Sequence, residues 1–193
     1  MLKKIALFAG SFFVFVTGAF AADAPLTADA AKRFVASLDS VKTLADEFEA
    51  SGKTEALELD AMPKAGEPFK PYSKSIAALK DQYPADYTKL QSAVKPHGFN
   101  AEEWGSVGDR VMVAYLARKM EKENPDAMAQ MAQMDPNMLN MMPPEMKAQV
   151  MQAKAMLDAV AAAPAEDKAV VAEVEGDLDA FMEEEAAEHS GHH

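Results

Sequence analysis

Beyond the first two dozen residues, the large apolar side chains recur at steps of three and four, and nowhere at a sustained step of two. A strand with one buried face needs alternation, whereas a helix brings every third or fourth residue to one side. The spacing predicts an all-α fold and makes a sheet improbable.

Phe34, Leu38, Val41, Ala45 and Phe48 predict a first helix, capped by Thr27 and stopped near Gly52. A loop with three prolines and a glycine follows between Met62 and Pro71. Ser73 is then expected to open a helix carrying Ile76, Leu79 and Tyr83, and Pro84 separates it from a partner helix carrying Tyr87, Leu90 and Val94. Asn100 and Glu103 stand at the two positions of a capping box, flanked by Phe99 and Trp104 at those of a hydrophobic staple. Local chemistry alone thus sets the start of that helix. Every residue from Val111 to Ala117 is apolar, which predicts a helix enclosed by others at the centre of the bundle. Met146, Val150, Ala153, Leu157 and Val160 predict a helix over 144–163. Val171, Val174, Leu178 and Phe181 predict a last one beginning at Pro164.

Met1-Leu2-Lys3-Lys4, the uncharged run from Ile5 to Phe20 and Ala19-Phe20-Ala21 are the parts of a signal peptide, with cleavage expected after Ala21. The run is short for a membrane anchor, so no stable membrane insertion is expected after cleavage. The expected organisation is a signal peptide at 1–21, a single domain at 22–188 folded as an irregular bundle of about six or seven helices, and a disordered histidine-containing tail at 189–193. The compartment this implies is the periplasm.

The chain has no cysteine, which excludes disulfides, thiolate metal sites and a cysteine nucleophile. Without Lys3 and Lys4, 17 basic side chains face 31 acidic ones, a formal charge of −14. Nucleic acid and anionic membrane surfaces would be repelled by most of such a surface.

His97, Asp109 and Arg110 near Trp104 can be read as a polar constellation for an anionic ligand. The cheaper reading gives the segment to helix ends and close packing: Gly98 ends one helix, Asn100 starts the next, Gly105 and Gly108 admit a close crossing, and Asp109 and Arg110 are solvated.

Eleven of the 14 methionines lie between Met112 and Met156. Met128, Met131, Met134, Met138, Met141, Met142 and Met146 form a stripe at helical spacing. Thioethers fill irregular cores, offer an adaptable apolar surface to a protein partner, and ligate Cu(I). On the last reading the expected ligands are Met131, Met134 and Met138, with His189, His192 and His193 of the tail as accessories and copper as the cofactor; on the other two there is none. The ten acidic residues from Glu166 to Glu188 are expected to form a solvated face opposite the valine and phenylalanine stripe.

No zincin, di-iron, nucleophile-elbow or phosphate-loop pattern is present, so no enzyme is expected. At Leu26-Thr27, at Arg33-Phe34 and from Lys95 to Val111 the chain resembles a family of small exported proteobacterial proteins of unknown function. The resemblance implies an all-helical periplasmic protein and carries over no catalytic residue. The function expected is that of a non-catalytic periplasmic binding or helper protein, with Met128, Met131, Met134, Met138, Met141 and Met142 as its contact surface. The alternative is Cu(I) binding by the same segment.

Overall fold

The computed structural model describes residues 25–54, 63, 66–123, 125 and 143–190. The expected signal peptide at 1–21 lies outside them, as do Met128, Met131, Met134, Met138, Met141, Met142, His192 and His193. Seven α-helices, and no strand, occur among the described residues: α1 (Ala28–Ala50), α2 (Pro71–Gln82), α3 (Pro84–Val94), α4 (Ala101–Glu123), α5 (Pro144–Ala161), α6 (Ala165–Val171) and α7 (Glu175–Ser190). The all-α bundle read from apolar spacing is the fold.

α1 begins where Thr27 Oγ1 accepts a hydrogen bond from the Ala30 backbone N–H at 3.2 Å. Its buried face is Ala30, Ala31, Phe34, Ser37 and Leu38. Farther along, Val41, Leu44 and Phe48 are only half-buried and Ala45 is exposed, so Leu44 takes the inward place expected of Ala45.

α2 starts at Pro71, two residues before the expected Ser73, because proline preset at the first helical position has no N–H to satisfy. Tyr83 alone links α2 to α3, which again starts on a proline, Pro84. A one-turn 3-10 helix, Lys95–His97, follows and ends at Gly98, whose φ of +77° is the left-handed region that glycine tolerates.

α4 is entered as the sequence predicts. The Asn100 N–H donates to Glu103 Oε2 at 3.1 Å, and the Glu103 N–H donates to Asn100 Oδ1 at 2.8 Å. Phe99 and Trp104 are both buried. No residue from Val111 to Ala117 is exposed, and α4 touches α1, α2, α3, α5 and α6. It is the central helix.

Two glycines set how closely the others approach it. A Cβ on Gly105 would stand 2.5 Å from Ile76 Cδ1 and 3.4 Å from the Ser73 backbone; one on Gly108 would stand 2.8 Å from Phe34 Cε2. In an exposed helix, Gly→Ala stabilises by roughly 0.8–1 kcal/mol. At Gly108 the methyl must displace Phe34, which is fully buried and held between Tyr72 and Trp104. Overpacking of this kind costs about 1–3 kcal/mol. Gly108→Ala is therefore expected to lower the unfolding free energy by about 1 kcal/mol in a urea melt. A stabilised variant would mean that the crossing has room to spare.

The C-terminal third holds one open helix and one correction. On α5, Val160 is buried, but Val150 and Leu157 are half-buried and Met146 and Ala153 are exposed. The apolar stripe is there, and at its C-terminal end Val160, Ala117 and Ala163 form a small second core with Val113, Leu116 and Met120. The single last helix is two, α6 and α7, separated by a turn in which Glu173 and Val174 N–H groups donate to the carbonyls of Val170 and Val171. Val171, Val174 and Leu178 stay buried across the break. The break makes Glu175 the first residue of α7, where a carboxylate meets the positive end of the helix dipole.

Candidate functional site

His97, Asp109 and Arg110 are adjacent enough in sequence to suggest one constellation, and the fold sends each to a different task. His97 Nε2 lies 3.4 Å from Ser40 Oγ, and its carbonyl accepts from Arg33 Nη1 at 3.1 Å. The same guanidinium reaches the Gly98 carbonyl at 3.1 Å and lies over the Phe99 ring at 4.4 Å, fastening α1 to the turn before α4. Near the indole stands Ser37 instead: Trp104 Nε1 donates to Ser37 Oγ at 2.7 Å, and that hydroxyl donates to the Phe34 carbonyl at 2.6 Å.

Asp109 and Arg110 are not solvated. Asp109 is 4% exposed, and its Oδ1 accepts the backbone N–H of Tyr72 at 2.7 Å and that of Ser73 at 3.3 Å. Those N–H groups are the second and third of α2, the ones that an N-cap side chain ordinarily satisfies. The residue at the N-cap, Lys70, makes no such bond. A buried carboxylate from α4 caps α2 in its place. Burial pushes the Asp109 carboxyl above its ordinary range, with the hydrogen bonds from Ser73 and Tyr72 acting the other way. Sequence reading passed over this role, although a helix starting Lys70-Pro71 with no capping side chain of its own is a signal that the cap comes from elsewhere.

Arg110 holds Asp167 of α6 in a two-pronged pair, Nε to Oδ2 at 2.8 Å and Nη2 to Oδ1 at 2.6 Å. Asp167 is 1% exposed. Eight residues on, Arg118 reaches Glu175 Oε2 at 2.7 Å, and Lys122 reaches Glu175 Oε1 at 2.6 Å. Lys119 Nζ lies 3.1 Å from Asp179 Oδ1, which also accepts the Tyr115 hydroxyl at 2.7 Å. From α1, Lys32 pairs with Glu173 and Lys42 with Glu185. The acidic stretch is thus not simply a solvated face: Asp167, Glu175 and Asp179 bind a cationic row on α4. Glu175 and Asp179 are held below the usual carboxylate range, Glu175 by its hydrogen bonds from Lys122 and Arg118 and Asp179 by those from Tyr115 and Lys119. Desolvation and Asp179 together push the Tyr115 phenol up to about 12.

What remains as a candidate site is on α5. Among the described residues the exposed large hydrophobic side chains are Met146, at 53%, and Met151, at 38%. Met112 and Met120, by contrast, are half-buried and pack against the two cores. The described methionines thus divide, those of α4 packing against the cores and Met146 and Met151 of α5 standing exposed. Met146 belongs to the stripe with Val150, Ala153 and Leu157, which runs back toward the segment holding Met128 to Met142. His189 falls in the last turn of α7. Among the described residues no three His, Asp or Glu side chains converge as a metal-ligand set. No helix among them is long and apolar enough to cross a membrane.

The chain matches no family model, and no curated protein or solved structure is detectably similar to it.

Proposed function

We propose that this chain is a non-catalytic binding or helper protein of the periplasm, and that the exposed face of α5 is part of a methionine-rich surface that receives an apolar segment of a protein partner. One observation carries the reading: the exposed large apolar residues among those described are both methionines and both lie on the helix that continues the methionine-rich segment. A thioether chain is unbranched and polarizable, so it accommodates partners of different shape with little strain. The buried carboxylates support the same reading, since Asp109, Asp167 and Glu175 are occupied in holding helices together.

Fully burying one methionine side chain contributes about 1.5–3 kcal/mol. Losing two from a contact surface should weaken association by about tenfold or more, even after the ordering of both chains is allowed for. The test uses the chain from Ala22 to His193 and reduced, unfolded α-lactalbumin as the probe, followed by light scattering. The chain is expected to slow aggregation of the probe. Met146→Glu with Met151→Glu should abolish the effect and leave the melting temperature unchanged, and leucine at both positions should preserve it. If leucine is as damaging as glutamate, an apolar surface at these two positions is not what acts and the proposal fails; absence of any protection by the parent chain sinks it as well.

A further inference from the structure

A second site, independent of the methionine surface, lies where α4, α5 and α6 meet the chain at 66–70. The last turns of α5 and the residues just beyond it line the cleft with Ala155, Ala159, Ala162 and Ala163. None is long enough to close on Val113 and Phe69 opposite, and a cleft of about 580 Å³ is left open between them. Clefts of roughly 300–1,000 Å³ are those that enclose small ligands. The longer apolar side chain of this turn, Val160, packs into the second core instead.

The charges around the cleft are mostly committed. Asp109 caps α2, Asp167 holds Arg110, Glu67 pairs with Lys74 at 3.4 Å and Asp158 with Lys154 at 2.7 Å. With those two lysines counted, the acids and bases of the site balance. Lys70 is different: it is exposed at the lining and makes no ion pair with any described residue. A cation entering the cleft meets only carboxylates that already have partners. An anion meets an ammonium that acts on the Asp109 carboxylate only at a distance and has no ion-pair partner among the described residues, beside an apolar wall.

We infer that this cleft binds a small amphipathic carboxylate, its apolar body against the alanines of α5 and its acid group at the Lys70 ammonium. The interaction at an exposed lysine is weak, so the acid group sets preference while the alanine wall supplies most of the affinity.

The test is titration of the chain from Ala22 to His193 with octanoate, octanol and octylammonium, read by calorimetry and by amide chemical shifts. Octanoate is expected to bind at one saturable site, several-fold tighter than octanol and at least tenfold tighter than octylammonium, with shifts at Val113, Ala159 and Ala162. Lys70→Gln should erase the preference for octanoate over octanol and leave octanol binding as it was. Ala159→Leu, which fills the cleft, should abolish binding of all three. Should that variant fail to fold, Ala162→Leu, at an exposed position, serves the same purpose. The pair Met146→Glu and Met151→Glu should leave octanoate binding intact, which separates this site from the contact surface. Octylammonium binding as tightly as octanoate, octanoate binding that survives Ala159→Leu and Ala162→Leu, or no saturation by octanoate would each overturn the inference.

Discussion

Arg110→Ala is expected to lower the unfolding free energy by about 3 kcal/mol, the low end of what removing one partner of a buried ion pair costs. The low end applies because the Arg110 side chain is 26% exposed, so water can reach part of the gap it leaves. Asp167, at 1%, would be stranded without a counter-charge. The opposite variant, Asp167→Ala, leaves a guanidinium that can turn toward solvent and should cost less, about 1–2 kcal/mol. Removing both side chains should cost less than the sum of the two single losses, giving a coupling on the order of 1–2 kcal/mol in a double-mutant cycle. Urea melts at several salt concentrations provide the check, because a buried pair should be insensitive to salt. Lys32–Glu173, whose two side chains are 59% and 52% exposed, serves as the comparison. A loss from Arg110→Ala below about 0.5 kcal/mol would put the pair in the class of exposed ones.

Asp109→Ala should be comparably damaging, at about 2–4 kcal/mol, since the Tyr72 and Ser73 N–H groups lose a charged acceptor inside the protein. Asp109→Asn keeps an oxygen for both N–H groups and removes a buried charge whose desolvation outweighs its hydrogen bonds, so at neutral pH it should cost far less than Asp109→Ala. The pH dependence separates Asp109 from the other acids. Its pKa is raised in the folded chain, so its contribution is fully present below the ordinary value of 3.8 and is lost as pH rises through the raised value. Glu175 and Asp179 are lowered, so theirs is present above the ordinary carboxylate range and is lost as pH falls through the lowered values. The parent chain should therefore gain on Asp109→Asn as pH falls through the raised value, while both lose the Glu175 and Asp179 contribution at lower pH still. Parallel stability curves for the two chains across this window would contradict a raised Asp109.

The parts of this architecture legible in the sequence are those with short-range causes. Asn100 and Glu103 cap α4 because they are three residues apart, and Val111 to Ala117 is enclosed because a helix apolar on every side has no face to give to water. Apolar spacing reports which side chains share a face, and says nothing of what covers that face. So the α5 stripe could be read as a stripe while its burial could not, and Leu44 displaced Ala45 because either lies close enough to the same side of α1. The roles of Asp109 and Asp167 depend on partners 36 to 57 residues away. In a chain with 31 acidic residues, no local pattern marks out the few that are internal. Of the candidate contact surface, the methionine spacing was legible; that its visible part would be Met146 and Met151 was not.

The borrowed cap on α2 also bears on when each helix can form. α4 carries its start signal within its own first residues, and so can begin as soon as those residues exist. α2 begins on a proline and waits for a carboxylate 37 positions beyond Tyr72. Synthesis proceeds from the N-terminus, so α2 emerges before the group that fixes its first turn, and stays uncommitted until α4 is in place. For a chain that we propose is exported, α2 is thus the element of the leading half whose first turn is completed only once the centre of the bundle has arrived.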